Sequence, residues 1–200
     1  MVYTSGSTGK PKGVLNTHAA LRALCEWMPN YIGYNSKEKV AEYASFSFVQ
    51  SCNDLYPPLS CGAELHIIST KMQHDLVALN LYLKENNIKF LRVTPQIGSV
   101  LIGSLDTSLE KIIMGGEIAR ESARVKTRVI VSYGCSETCG SVMHTDITNR
   151  PSNAKPVLGR PMPGVTIVLE NENGEPVPYG EIGEICIASP QAVSYTHLTL

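Results

Sequence analysis

From Val40 to Ser132 the chain alternates short apolar runs with helical patterns, and this alternation restricts the fold more than any other feature. The runs 40–48, 63–68, 88–93, 111–114 and 128–132 are apolar enough for strands. Between them, 51–59 suits a short helix, with Gly62 at its end. Asp75 can cap a second helix that turns Leu76, Leu79 and Leu83 inward, and Pro95 opens a third. A polar helical stretch occupies 117–126. Upstream, Asn16-Thr17 can cap a helix that buries Leu21, Leu24, Met28 and Tyr31 and runs to about Ile32, with Trp27 and Met28 in the core. Strand–helix–strand repetition implies an α/β fold, a parallel sheet with helices packed on it. After Asp146 proline and glycine become frequent over 151–164. Strands at 164–169 and 183–187, joined by a turn at 171–174, form a β-rich continuation. The expected division is a central α/β part over 1–147, the β-rich part of the same domain over 148–190, and a non-native tail over 193–200.

Ahead of this alternation lies Thr4-Ser5-Gly6-Ser7-Thr8-Gly9-Lys10-Pro11-Lys12-Gly13, flanked by the strand-like 1–3 and 14–15. Three glycines, four hydroxyls and two lysines in ten residues can lay N–H groups, hydroxyls and charge around a polyphosphate. It is not a P-loop: only Ser7 and Thr8 separate Gly6 from Gly9, and Pro11 prevents a helix from following Lys10. A flexible Gly/Ser linker is the alternative, and the apolar flanks and lysines argue against it. In parallel sheets ligands sit at the carboxyl ends of strands, where Gly115-Gly116 and Tyr133-Gly134 fall.

The totals bound the rest. A 43% hydrophobic content supports a buried core within one domain or a large piece of one. A net charge of −1 points to neither nucleic acid nor a membrane surface, and no apolar run reaches the roughly 20 residues that span a bilayer. The six cysteines, Cys25, Cys52, Cys61, Cys135, Cys139 and Cys186, form no CxxC pair. That argues against zinc and for reduced thiols in a cytoplasmic protein. His66, His74 and His144 show no ligand spacing.

The string 3–14, Tyr-Thr-Ser-Gly-Ser-Thr-Gly-Lys-Pro-Lys-Gly-Val, resembles the phosphate-loop signature of the adenylate-forming superfamily of acyl-CoA synthetases, luciferases and peptide-synthetase adenylation domains. Gly115-Gly116-Glu117 resembles its Gly-Gly-Glu element, and Tyr133-Gly134-Cys135-Ser136-Glu137 its Tyr-Gly-x-Thr-Glu element. Phe46-Ser47-Phe48 and Gly62-Ala63-Glu64-Leu65 resemble the peptide-synthetase type. Gly159-Arg160-Pro161 and Gly180-Glu181-Ile182-Gly183-Glu184-Ile185 resemble later elements, so the likeness covers roughly 1–190.

The resemblance implies part of the large domain of an adenylate-forming enzyme. Thr4, Ser5, Gly6, Ser7, Thr8, Gly9, Lys10 and Lys12 would hold the β- and γ-phosphates of ATP. Gly115, Gly116 and Glu117 with Tyr133 and Gly134 would seat adenine, Ser136 would contact the α-phosphate, and Glu137 would bind Mg²⁺. For Glu137 the other reading is a solvated surface charge; for His18, a structural histidine. The acid pocket would be Val49, Gln50, Asn53, Arg92, Ile113, Ser132, Gly140 and Ser141. Val49 stands where amino-acid-activating members carry the aspartate that clamps the ammonium, and valine cannot pair with that charge. Arg92 either pairs with a second carboxylate or distal acceptor of the substrate or points away from the pocket. The segment between Glu117 and Tyr133 is about one helical turn shorter than in the family. The ribose-binding aspartate and the catalytic lysine are expected outside these 200 residues, so no catalytic residue is assigned.

The implied activity is ATP-dependent conversion of a carboxylic or amino acid to an acyl-adenylate. The acyl acceptor would be the phosphopantetheine of a carrier domain. A CoA ligase and an inactive nucleotide-binding remnant are the alternatives.

Overall fold

The computed structural model describes residues 1–4, 12–104, 106–119, 126–151 and 154–193. It begins with an antiparallel hairpin, β1 (Val2–Thr4) against β2 (Lys12–Val14), with Thr4 opposite Lys12. Helix α1 (His18–Ile32) follows. The Thr17 hydroxyl caps it by accepting from the Ala20 N–H at 3.1 Å, and Gly33 ends it at φ 93°, a conformation glycine adopts freely.

The chain then enters β3 (Lys39–Glu42), α2 (Gln50–Ser60), β4 (Glu64–Ile67), α3 (Thr70–Gln73), α4 (Leu76–Glu85), β5 (Phe90–Val93), α5 (Pro95–Ser104), β6 (Lys111–Gly115) and β7 (Arg128–Cys135). A 3₁₀ turn (Ser136–Thr138) leads into β8 (Gly140–Asp146), and β9 (Arg160–Pro161) follows. These strands form one seven-stranded sheet in the order β4-β3-β5-β6-β7-β8-β9. Pairing is parallel from β4 to β7 and antiparallel from β7 to β9. A separate hairpin pairs β10 (Thr166–Glu170) with β11 (Glu184–Ala188).

Strand periodicity divides the core into two faces. Leu91 and Val93 of β5, Ile112 and Met114 of β6, and Val129 and Val131 of β7 pack with Leu79 and Leu83 of α4 and Leu101 of α5. Phe90, Ile113 and Ile130 face the other way, onto Leu24, Trp27, Met28 and Ile32 of α1. Helices thus cover both faces, as parallel strands require. Each fully buried Leu or Ile contributes roughly 1.5–3 kcal/mol of transfer free energy.

Three expectations need correction. The strand read over 40–48 stops at Glu42. Ser45 then turns the chain, its carbonyl accepting from the Phe48 N–H at 2.9 Å and its hydroxyl from the Ser47 N–H at 3.4 Å, and Phe46 and Phe48 are left exposed. In the polar helix read over 117–126, residues 117–119 and 126 are bends and irregular backbone, and 120–125 lie outside the described residues. The antiparallel β8 was not expected at all. Its sequence, Gly-Ser-Val-Met-His-Thr-Asp, is mostly buried and shows no alternation to read.

Candidate active site

Parity sets the site. On β5, Arg92 lies between Leu91 and Val93 and so faces the α1–α2 side. Arg92 pairs in register with Ile113 and Gly115 with Ser132, so the same face continues across β6 and β7. The start of α2 crosses above these strand ends, and β8 returns beside them. A half-open cavity of about 30 Å³, the room of a single small group, lies there. Val49, Gln50, Asn53, Arg92, Ser132, Gly140 and Ser141 line it, joined by Gly115 and Gly134. Ile113 does not; it is fully buried, one pair deeper among the α1 contacts.

Arg92 points inward and is 3% exposed. Its Nε–H donates to Asp54 Oδ1 at 2.8 Å, and its Nη1 reaches Ser141 Oγ at 3.4 Å. Ser141 Oγ lies 2.5 Å from Ser132 Oγ, which lies 3.1 Å from His144 Nε2. Asn53 Oδ1 accepts from the Ser141 N–H at 3.1 Å. Burial first, and the Arg92 charge second, push His144 down to about 3, so the ring is neutral. Asp54 and Glu42 are both 1% exposed. Burial raises Asp54 to about 7 against the pull of Arg92. Burial, reinforced by the Asp54 charge and opposed by Arg92, raises Glu42 to about 9. Both Glu42 oxygens lack a hydrogen-bond partner among the described residues, so the neutral carboxyl is the form the interior tolerates.

The nucleotide-side residues gather at the same end of the sheet. Thr4 and Lys12 are the stem of the β1–β2 hairpin, and β1 packs beside the 3₁₀ turn that carries Glu137. Ser5, Gly6, Ser7, Thr8, Gly9 and Lys10, expected to hold phosphate, lie outside the described residues. Glu137 and Glu117 are exposed, and Ser136 and Tyr133 are half-buried. Gly116 takes φ 86°, with the Gln50 amide reaching over it. The β7–β8 register shifts between Tyr133 and Gly134. There a Cβ on Gly134 would lie 1.9 Å from the Gly140 carbonyl oxygen, so only glycine fits. An exposed carboxylate suits a hydrated Mg²⁺, and the half-buried ring of Tyr133 suits a flat base, while the Gln50 amide lies over the bare backbone at Gly115 and Gly116; the residues present fit both groups.

Several residues escaped the sequence reading. Asp54 and Glu42 were missed, although an arginine inside an apolar strand demands a buried counter-charge, which was a usable signal. Gln191 gave no such signal; it is 1% exposed and bonds to elements far from it in sequence. His18 is exposed at the edge of a second cavity, about 370 Å³, between the hairpin, α1 and α2. Among the described residues, no helix is long and apolar enough to cross a membrane.

Comparison with known proteins finds relatives over nearly the whole chain. Surfactin synthase subunit 2 of Bacillus subtilis is 30% identical over 188 residues, covering 94% of this chain and 5% of that protein. Tyrocidine synthase 1 of Brevibacillus parabrevis is 33% identical over 195 residues, covering 94% of this chain and 18% of that protein. The N-terminal subdomain of Klebsiella oxytoca NpsA, solved with 3-hydroxyanthranilyl-AMSN, superposes with a TM-score of 0.81 at 27% identity. That match covers 96% of this chain and 52% of the NpsA chain, so the chain spans about half the solved subdomain and a small fraction of the synthetases. The family model for AMP-binding enzymes matches residues 1–195, and the chain belongs to that family.

Proposed function

We propose that this chain forms the nucleotide- and acid-binding part of an enzyme that activates a carboxylic acid as its acyl-adenylate. In that reaction a carboxylate oxygen bonds to the α-phosphorus of ATP, the bond from that phosphorus to the bridging oxygen breaks, and pyrophosphate leaves. The segment from Thr4 to Lys12 would hold the β- and γ-phosphates. Tyr133, Gly134, Gly115, Gly116 and Glu117 would seat the base, and Ser136 would meet the α-phosphate. Glu137 would hold Mg²⁺, which supplies charge neutralisation on the phosphates. The chain's own contribution is orientation and exclusion of water, with no covalent enzyme intermediate. The acyl group then passes to a thiol and AMP leaves. The adenylation–PCP fusion containing NpsA, which superposes with a TM-score of 0.80, supports a carrier-protein phosphopantetheine as that thiol.

One observation carries this reading. The cavity around Arg92, Ser132 and Ser141 lies at the same sheet end as the Glu137 turn and the hairpin stem, so acid and triphosphate can meet there. The cavity lining contains no carboxylate, and Val49 is part of it. This favours an acid without a free α-ammonium, and leaves CoA ligation as a second reading. ATP–pyrophosphate exchange by the full-length protein over a panel of amine-free acids and α-amino acids tests both points. Exchange with amine-free acids is expected; no exchange with any acid would overturn the proposal.

A further inference from the structure

The segment 189–193, just after β11, inserts between α1, the 3₁₀ turn and β8 through one side chain. The Gln191 carboxamide is buried, and its orientation follows from its partners. The indole N–H of Trp27 can only donate, so it meets Oε1, at 2.9 Å. The carbonyls of Thr138 and Ser141 can only accept, so both meet Nε2, at 3.2 Å each. One NH₂ group therefore ties both ends of the reversal from the 3₁₀ turn into β8. Inside that reversal Cys139 takes φ 53° and Gly140 φ 109°. Val193 adds a backbone bond, its N–H donating to the Glu137 carbonyl at 2.8 Å.

The clamped stretch carries Glu137 at one end and Ser141, a cavity-lining residue, at the other. We propose that Gln191 is a positioning residue that fixes the distance between the metal-side turn and the acid cavity. This rests on the adenylation reading above. In-line attack needs the acid carboxylate and the α-phosphate held together, and a displacement of about 1 Å can lower a rate on the order of 100-fold. A glutamine is needed because the position asks for one acceptor and two donors in fixed directions. Glutamate keeps the acceptor for Trp27 but turns a lone pair toward the two carbonyls.

The test uses the full-length protein with Gln191→Glu, the apolar near-isostere Gln191→Met in case the first does not fold, and Trp27→Phe, which removes the indole bond together with part of a buried ring packed on Tyr31 and His144 and so measures general repacking. Gln191→Glu or Gln191→Met should raise KM for both MgATP and the acid and lower kcat/KM for exchange on the order of 10- to 100-fold. Trp27→Phe should lose clearly less than either Gln191 variant. Amide hydrogen exchange of the 137–141 backbone should quicken in the Gln191 variants alone. The proposal is overturned by kcat/KM within about twofold of wild type in the Gln191 variants, or by equal losses in Trp27→Phe. Unchanged amide protection in the Gln191 variants overturns it as well. A wild-type protein without exchange activity would defeat the adenylation reading instead, and the amide measurement would still read the clamp.

Discussion

Three buried ionisable side chains dominate at the scale of single residues. Arg92 and Asp54 are joined at 2.8 Å, and Glu42 stands beside them without a hydrogen-bond partner among the described residues. The raised pKa of Glu42 sets a sign. Between its ordinary value near 4.5 and about 9, the folded chain keeps a proton that the unfolded chain has lost. Stability from this group is therefore full below pH 4.5 and declines as pH rises through that window, by up to about 1.4 kcal/mol per pH unit. Glu42→Gln should remove this decline, so that the variant gains on wild type as pH goes from 5 to 9 in denaturant titrations. His144 has the opposite sign: its depressed pKa makes the fold lose stability as pH falls from about 6.5 toward 3. Asp54→Ala strands the guanidinium in the interior. It should lower stability by about 3–5 kcal/mol in the same titrations, with Asp54→Asn milder because an amide oxygen can still accept.

At the scale of elements, the strand–helix alternation from β3 to β7 was legible because Ile112 to Met114 and Val129 to Val131 are buried on both faces and read as unbroken apolar runs. Of the positions that short motifs suggest for the pocket, all but Ile113 line the cavity. Their gathering around one cavity was not legible, because it depends on the parity of Arg92 and on a returning strand that Gly140-Ser141-Val142-Met143-His144 does not advertise. Phe46 and Phe48 have the aromatic character of strand residues, and the serines between and before them turn the chain instead. The buried bonds of Gln191 span 164 residues to Trp27, and no local pattern encodes a contact of that range. The β7–β8 pair makes a sharp prediction. Gly134→Ala places a methyl group against the Gly140 carbonyl, and should cost about 1–3 kcal/mol in chemical denaturation and disturb Ser141.

The whole molecule is a sheet with two separately filled faces, and only one carries the cavity. Leu24 is fully buried on the α1 face and Leu83 on the α4 face. Leu24→Ala and Leu83→Ala should each cost about 2–5 kcal/mol. Their losses should add in the double variant, since the sheet separates them. Only Leu24→Ala should also raise KM for the acid in exchange assays, because its neighbours Ile113 and Phe90 support the floor beneath Arg92.

The reversal of direction between β7 and β8 carries a consequence for how such a pocket can diverge. Only residues 136–139 separate the two strands, so the spacing across the rim from Ser132 to Ser141 is written into covalent geometry, like marks on a ruler. Lengthening that connection would shift both Glu137 and the pocket wall at once. New substrate preferences on this scaffold should therefore arise by exchanging side chains at constant length, and insertions should collect at the far end of the sheet.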